Sequence, residues 1–242
     1  MLAVRIQKML ADAGLESRRT IETWISAGRI TVNGQLAKLG DRVTLNDKVC
    51  LDGKLVTLDK VAQHEARVLM YHKPEGEVCT RHDPEGRRTI FMSLPPIRGE
   101  RWISVGRLDL NTSGLLLVTN DGAIANKLMH PSAEIEREYA VRVLGEVTPE
   151  MCQRMQKGVM LEDGLASFHS IKTVGGEGAN RWYQVILKEG RKREVRRLWE
   201  SQGLKVSRLM RIRFGFLTLP RSLRKGSYQE VEPDEIEKLL RN

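Results

Sequence analysis

Between Gly106 and Gly122 the chain reads Gly-Arg-Leu-Asp-Leu-Asn-Thr-Ser-Gly-Leu-Leu-Leu-Val-Thr-Asn-Asp-Gly, and no other stretch limits the fold so tightly. Gly106 and the residues after it make a tight turn. The apolar run Leu115 to Thr119 reads as a buried strand, and Asn120-Asp121-Gly122 ends it in a second turn. Asp109 is thereby fixed at the edge of a strand. Aspartate is common in turns, where it caps its own backbone, so Asp109 alone would carry little. Its setting carries more: Lys and Arg number 40 against 31 Asp and Glu, a net charge of +9. A carboxylate held in so basic a chain lies where a polyanion is drawn in.

At 242 residues the chain is long enough for more than one domain. No apolar stretch is long enough to span a bilayer, and the start Met1-Leu2-Ala3-Val4-Arg5 is too quickly charged for a signal peptide. A soluble, cytoplasmic protein with no membrane association is the expectation. Cys50, Cys79 and Cys152 are far apart and form no C-x-x-C pair, and His64, His72, His82, His130 and His169 show no ligand spacing. Neither a disulfide framework nor a metal site is expected.

The first sixty residues form a unit of their own. Ile6, Met9, Leu10 and Ala13 share one helical face that Gly14 terminates. Ser17 caps a second helix running through Ile21, Trp24 and Ile25 to Gly28. Ile30 to Gln35 then reads as a strand with an Asn-Gly hairpin turn at Asn33-Gly34. Arg18, Arg19, Arg29, Lys38 and Arg42 stud this unit. Two arginines at a helix start oppose the helix dipole unless an anion is brought to them. A polar join follows, dividing the chain into 1–60, a linker at 61–66, and 67–242.

The second part begins with the strand Val68 to Tyr71, broken by a turn at Lys73-Pro74-Glu75-Gly76. Later come a helix at Gly122 to His130, an alternating strand at Arg137 to Val143, and a helix at Pro149 to Lys157. Strands at Ser167 to Val174 and Trp182 to Leu187 flank a glycine loop, and a last helix lies near Pro233 to Leu240. From Ile186 to Gly226 there are thirteen Lys and Arg against Glu189, Glu194 and Glu200. Ion pairs within a helix cannot absorb that excess, so phosphate neutralisation is its natural use.

The Gly106–Gly122 block resembles the catalytic motif of the pseudouridine synthases, in the RsuA/RluB family that modifies ribosomal RNA. The segment from Gln7 to Asp47, with Gly14, Ser17-Arg18-Arg19, Ala27-Gly28, Val32-Asn33-Gly34 and Gly40-Asp41, resembles the S4 RNA-binding module. Together these imply an α+β protein. A small N-terminal S4-like RNA-binding domain would precede a larger pseudouridine synthase domain with a mixed, mostly antiparallel sheet. The resemblance implies that Asp109 is the catalytic nucleophile or base, that Tyr139 in Arg137-Glu138-Tyr139-Ala140 stacks on the target base, and that a Gly-Arg…Arg motif supplies a basic partner to the aspartate.

Aligned on Gly190-Arg191, that partner is Arg196, with Arg193 and Arg197 as the alternatives. Arg193-Glu194 stands where a common pattern has His-Gln. Ser17, Arg18, Arg19, Arg29, Lys38, Arg107, Arg191, Arg193 and Arg197 are the expected RNA contacts. The implied partner is ribosomal RNA, 23S RNA or a large-subunit assembly intermediate, bound by a monomer. The isomerisation needs no cofactor, since no redox step or leaving phosphate occurs. Two other readings stand beside this one: the same chemistry on 16S RNA, and a non-catalytic S4-type ribosome-assembly factor.

Overall fold

A computed structural model describes residues 3–58, 65–97, 100–176 and 179–241. His64, most of the expected linker, and Glu177 and Gly178 of the glycine loop lie outside them. The chain divides into two compact units. One gathers residues 1–66, 96–102 and 120–122, and the other comprises 67–95, 103–119 and 123–242.

The first unit is built from local signals. Helix Ile6–Asp12 ends where Gly14 takes φ +82°, a conformation that glycine adopts without a Cβ clash. Helix Arg18–Ser26 is capped by Ser17, whose Oγ accepts from the Thr20 N–H at 3.0 Å. Val32 pairs with Gln35 across Asn33 (φ +51°) and Gly34 (φ +85°), the two left-handed residues of a tight hairpin turn. The four-stranded sheet runs in the order Gln35–Leu36, Ile30–Val32, Val49–Leu51, Lys54–Leu55. Ile6, Leu10, Ile21, Ile25, Ile30, Val43 and Val49 form its core.

The second unit is organised by one long sheet. Its strands lie in the order Ser170–Gly175, Asn180–Leu187, Arg137–Leu144, Lys205–Phe214, Ser113–Thr119, Val68–Lys73, Tyr228–Glu230. Each neighbouring pair is antiparallel except one: Lys205–Phe214 runs parallel to Ser113–Thr119, with Met210 opposite Ser113 and Arg211 opposite Gly114. The sheet is therefore mixed and mostly antiparallel, as expected. At the parallel seam the backbones approach so closely that a Cβ on Gly114 would lie 2.2 Å from the Arg211 carbonyl oxygen. All seven residues of Ser113–Thr119 are buried, as befits a central strand covered on both faces.

Several features differ from the sequence reading, among them the strands Lys205–Phe214 and Tyr228–Glu230, which it did not place. The first strand runs through Lys73, which is fully buried and pairs with Gly114, so the turn begins only at Pro74. A short hairpin, Val159–Leu161 with Gly164–Ala166, was not anticipated. Its strands are three residues long and pair only with each other, too short for any periodicity to show. Among the described residues no helix is long and apolar enough to cross a membrane.

Candidate active site

The larger unit contains a cleft of about 540 Å³ lined by Gly106 to Asp109, Thr112, Arg137, Tyr139, the loop Leu187 to Val195, Leu209, Arg211 and Phe214. The chain reaches Asp109 through Gly106 at φ +77° and leaves it by a turn in which Thr112 N–H donates to the Asp109 carbonyl at 3.0 Å. Five consecutive carbonyls in this turn have partners. Leu108 O accepts from the Cys79 thiol, Leu110 O from Gly76 N–H at 2.9 Å, and Asn111 O from Arg196 Nη2 at 2.8 Å. Lys73 Nζ closes the set, donating to Asp109 O at 3.1 Å and to Pro74 O and Thr112 O, each at 2.9 Å.

The turn is thus fixed through its backbone, while the Asp109 carboxylate has no hydrogen bond or ion pair among the described residues. A side chain held in place by its main chain and left without a local partner is preorganised for something that arrives. Lys73 is one of the residues that sequence reasoning missed. Burial lowers the pKa of its ammonium, while Cys79, Glu77 and Asp109 pull it back up. Three carbonyls supply what water would otherwise give that charge.

The expected contact between Asp109 and Arg196 is not an ion pair in this structure. Arg196 is buried, with Nη1 on the Val206 carbonyl at 3.0 Å and Nη2 on Asn111 O. Its guanidinium holds the turn that carries Asp109 and acts on the carboxylate only through space. Burial lowers the Arg196 pKa, Arg193 adds to that, and Asp109 opposes it. Neither alternative reaches Asp109. Arg193, at φ +53°, pairs with Glu200 at 3.3 Å, and Arg197 grips both oxygens of Asp163 at 2.8 Å. Arg191 is spent on Glu189 and on the Leu165 carbonyl.

Tyr139 is buried and lines the cleft, opposite Arg211 in the sheet register. Two more buried arginines stand beside it. Arg137 Nη1 donates to the Ile135 and Lys188 carbonyls at 2.8 and 3.0 Å, and Arg211 Nε donates to Leu115 O at 2.7 Å. Their guanidinium carbons lie 5.2 and 5.4 Å from the Phe214 ring centre. Arg137 was legible in principle, since two-residue alternation puts it on the face of Tyr139. Glu194 completes the wall: it is 3 % exposed, and its Oε2 accepts from Arg191 N–H at 3.1 Å. Burial, with the Glu189 carboxylate beside it, pushes its carboxyl up to about 7.

Of the other expected RNA contacts, Arg107 is an exposed cleft residue. In the first unit Arg18, Arg19 and Lys38 are exposed, and Arg18 borders a depression with Arg5, Lys8 and Arg42. Arg29, by contrast, is paired with both oxygens of Asp52 and lies over Trp24, and the Ser17 hydroxyl is used as a helix cap. Among the described residues no group of three or more His, Cys, Asp or Glu is placed to hold a metal ion.

Comparison with known proteins agrees with this geometry. Residues 67–201 match the family described as RNA pseudouridylate synthase, and residues 4–49 match the S4 domain. The protein named ribosomal large subunit pseudouridine synthase B from Haemophilus influenzae is 57% identical over 234 residues, covering 96% of this chain and 66% of that protein. Its namesake from Pseudomonas aeruginosa is 58% identical, with 96% and 61% covered. The one from Escherichia coli (strain K12) is 56% identical, with 96% and 80% covered. The chain thus spans just under two thirds of the length of the first two. A crystal structure of a pseudouridylate synthase superimposes with a TM-score of 0.68 at 26% identity, covering 98% of this chain and 99% of the other. With the S4 domain ahead of the larger fold and a locked aspartate turn in its cleft, the chain belongs to the RNA pseudouridylate synthase family.

Proposed function

We propose that this protein converts a uridine of large-subunit ribosomal RNA, in 23S RNA or an assembly intermediate, into pseudouridine, acting as a monomer in the cytoplasm. The observation that carries the proposal is the Asp109 turn: five backbone carbonyls tied and the carboxylate left without a partner. The relatives' shared name supplies the substrate class.

The reaction breaks the bond from N1 to C1′ of the ribose, turns the uracil, and joins C5 to C1′. A proton leaves C5 and N1 gains one, so the change is an isomerisation. To reach the cleft the target nucleotide must leave its stack. Tyr139 offers the flipped ring an aromatic surface. Asp109 supplies the carboxylate that acts as nucleophile or base on the detaching nucleoside, and Arg196 holds the turn that presents it. Leu108, Leu209 and Phe214 give the cleft apolar walls. Those walls exclude the water that would otherwise capture the sugar and turn the enzyme into a glycosidase.

Binding draws on cations not already committed within the fold. Arg18, Arg19 and Lys38 on the S4 unit and Arg107 at the cleft serve as phosphate ligands. Arg29, Arg191, Arg193 and Arg197 mainly brace the loops that present them. Domain limits of 1–60 and 67–242, joined by a linker, fit this division of labour.

Pseudouridine mapping in 23S and 16S RNA tests the proposal, using cells that lack the protein and are complemented with wild type or Asp109→Ala. One 23S signal should vanish on deletion and return with wild type alone. Survival of every signal would leave the RNA-binding assembly factor in place of the enzyme. Loss of a 16S signal instead would overturn the substrate.

A further inference from the structure

Arg211 has a feature that the reaction as described does not use. The residue is 3 % exposed; its Nε is bonded to Leu115 O, yet its Nη2 is buried with no hydrogen-bond partner among the described residues. A buried guanidinium nitrogen left unpaired is costly, and none of the three cleft acids Asp109, Glu189 and Glu194 bonds to it. An acceptor brought by a ligand would satisfy it.

Its position says which part of the ligand. Arg211 lies directly opposite Tyr139 in the antiparallel register, so the two side chains stand on one face of the sheet about 5 Å apart, and both line the cleft. Phe214 backs the guanidinium. The cleft's exposed cations, Arg107, Lys188, Lys192 and Arg193, are where solvent-facing phosphates would be met. A phosphate at Arg211 would have to be carried into a buried position with its charge stripped of water. A flat, neutral pyrimidine stacked on Tyr139 instead brings a ring carbonyl to that depth.

We propose that Arg211 reads the flipped uracil, with Nη2 donating a hydrogen bond to one of its two ring carbonyl oxygens, O2 or O4. The assignment rests on the pseudouridine synthase reading of the cleft. It makes Arg211 a base-recognition residue, distinct from Arg196, whose two bonded nitrogens face backbone carbonyls.

The test uses the full-length protein and a synthetic RNA carrying the mapped uridine as uridine, 2-thiouridine or 4-thiouridine, read as single-turnover pseudouridine formation. Sulfur is a poor acceptor, so wild type should be slowed about tenfold by one of the two replacements, the scale of a lost hydrogen bond to a charged donor. Arg211→Lys, which keeps the cation and can still reach Leu115 O, should lose a similar factor on uridine and show no further loss with that thio substrate. Arg211→Gln gives the same comparison if the lysine variant does not fold. Equal wild-type rates on all three RNAs would overturn the assignment, as would an undiminished thio penalty in the variants. Failure of the underlying reading is separate, since wild type would then form no pseudouridine from the unmodified RNA.

Discussion

Replacing Glu194 by glutamine should flatten the dependence of stability on pH. The carboxyl is 3 % exposed, and its pKa is pushed from an ordinary 4.5 to about 7, first by burial and then by the neighbouring Glu189 carboxylate. Below pH 4.5 it is neutral in both folded and unfolded chains and contributes no difference. Between 4.5 and about 7 the unfolded chain releases the proton while the fold retains it, so stability falls as pH rises. Above about 7 the loss levels off, with a ceiling of roughly 3 kcal/mol set by the size of the rise. Glutamine copies the protonated acid: its oxygen can accept from Arg191 N–H and its amide can donate to Glu189. Wild type and Glu194→Gln should therefore melt together near pH 4.5. By pH 8 the variant should melt higher by roughly 6–12 °C, at about 2–4 °C per kcal/mol for a chain of this size. Thermal unfolding followed by circular dichroism from pH 4.5 to 8.5 measures the gap. A gap of the same size at both ends, or a less stable variant at pH 8, would refute the buried-acid argument.

Asp109→Asn should abolish turnover, by at least a thousandfold, yet leave the melting temperature within about 1 °C, because the carboxylate has no partner to lose; a large drop in stability would show that it does. Lys73→Met should cost about 2–4 kcal/mol in denaturant unfolding, since Pro74 O and Thr112 O lose the donor Lys73 provides while Asp109 O keeps Thr112 N–H; a neutral result would sink the carbonyl cage. Gly114→Ala should cost more than about 3 kcal/mol or prevent soluble expression, as the methyl would meet the Arg211 backbone at 2.2 Å. A variant with Arg18 and Arg19 both changed to Glu should bind RNA more weakly and with a shallower salt slope in filter binding; unchanged slopes would remove these arginines from the interface.

What the sequence could reveal tracked the range of the interactions involved. The N-terminal helix pair and hairpin follow from Gly14, Ser17 and Asn33-Gly34, signals that act within a few residues. The aspartate turn was legible for the same reason. The roles of Lys73 and Arg196 were not. Lys73 is followed by Pro-Glu-Gly and looks like turn residue; it is buried because carbonyls 36 and 39 positions away close around it. Arg196 reaches Asn111, 85 positions distant, so its bonding to the turn rather than to the carboxylate is a fact of tertiary geometry. Arg191, Arg193 and Arg197 counted as free charge in a basic segment, but Glu189, Glu200 and Asp163 claim them. Composition cannot show which charges a fold has already matched.

The parallel seam between Ser113–Thr119 and Lys205–Phe214 also sets when the cleft is completed. Parallel pairing across so much intervening chain is a slow, non-local closure. A nascent polypeptide emerges N-terminus first, so the strand that presents Arg211 leaves the ribosome about ninety positions after the strand it pairs with. Until it docks, Asp109 has no opposite wall and Arg196 no Val206 carbonyl to hold. A chain cut short before this strand would carry every residue of the Gly106–Gly122 block and still lack the wall of the cleft that Leu209, Arg211 and Phe214 supply.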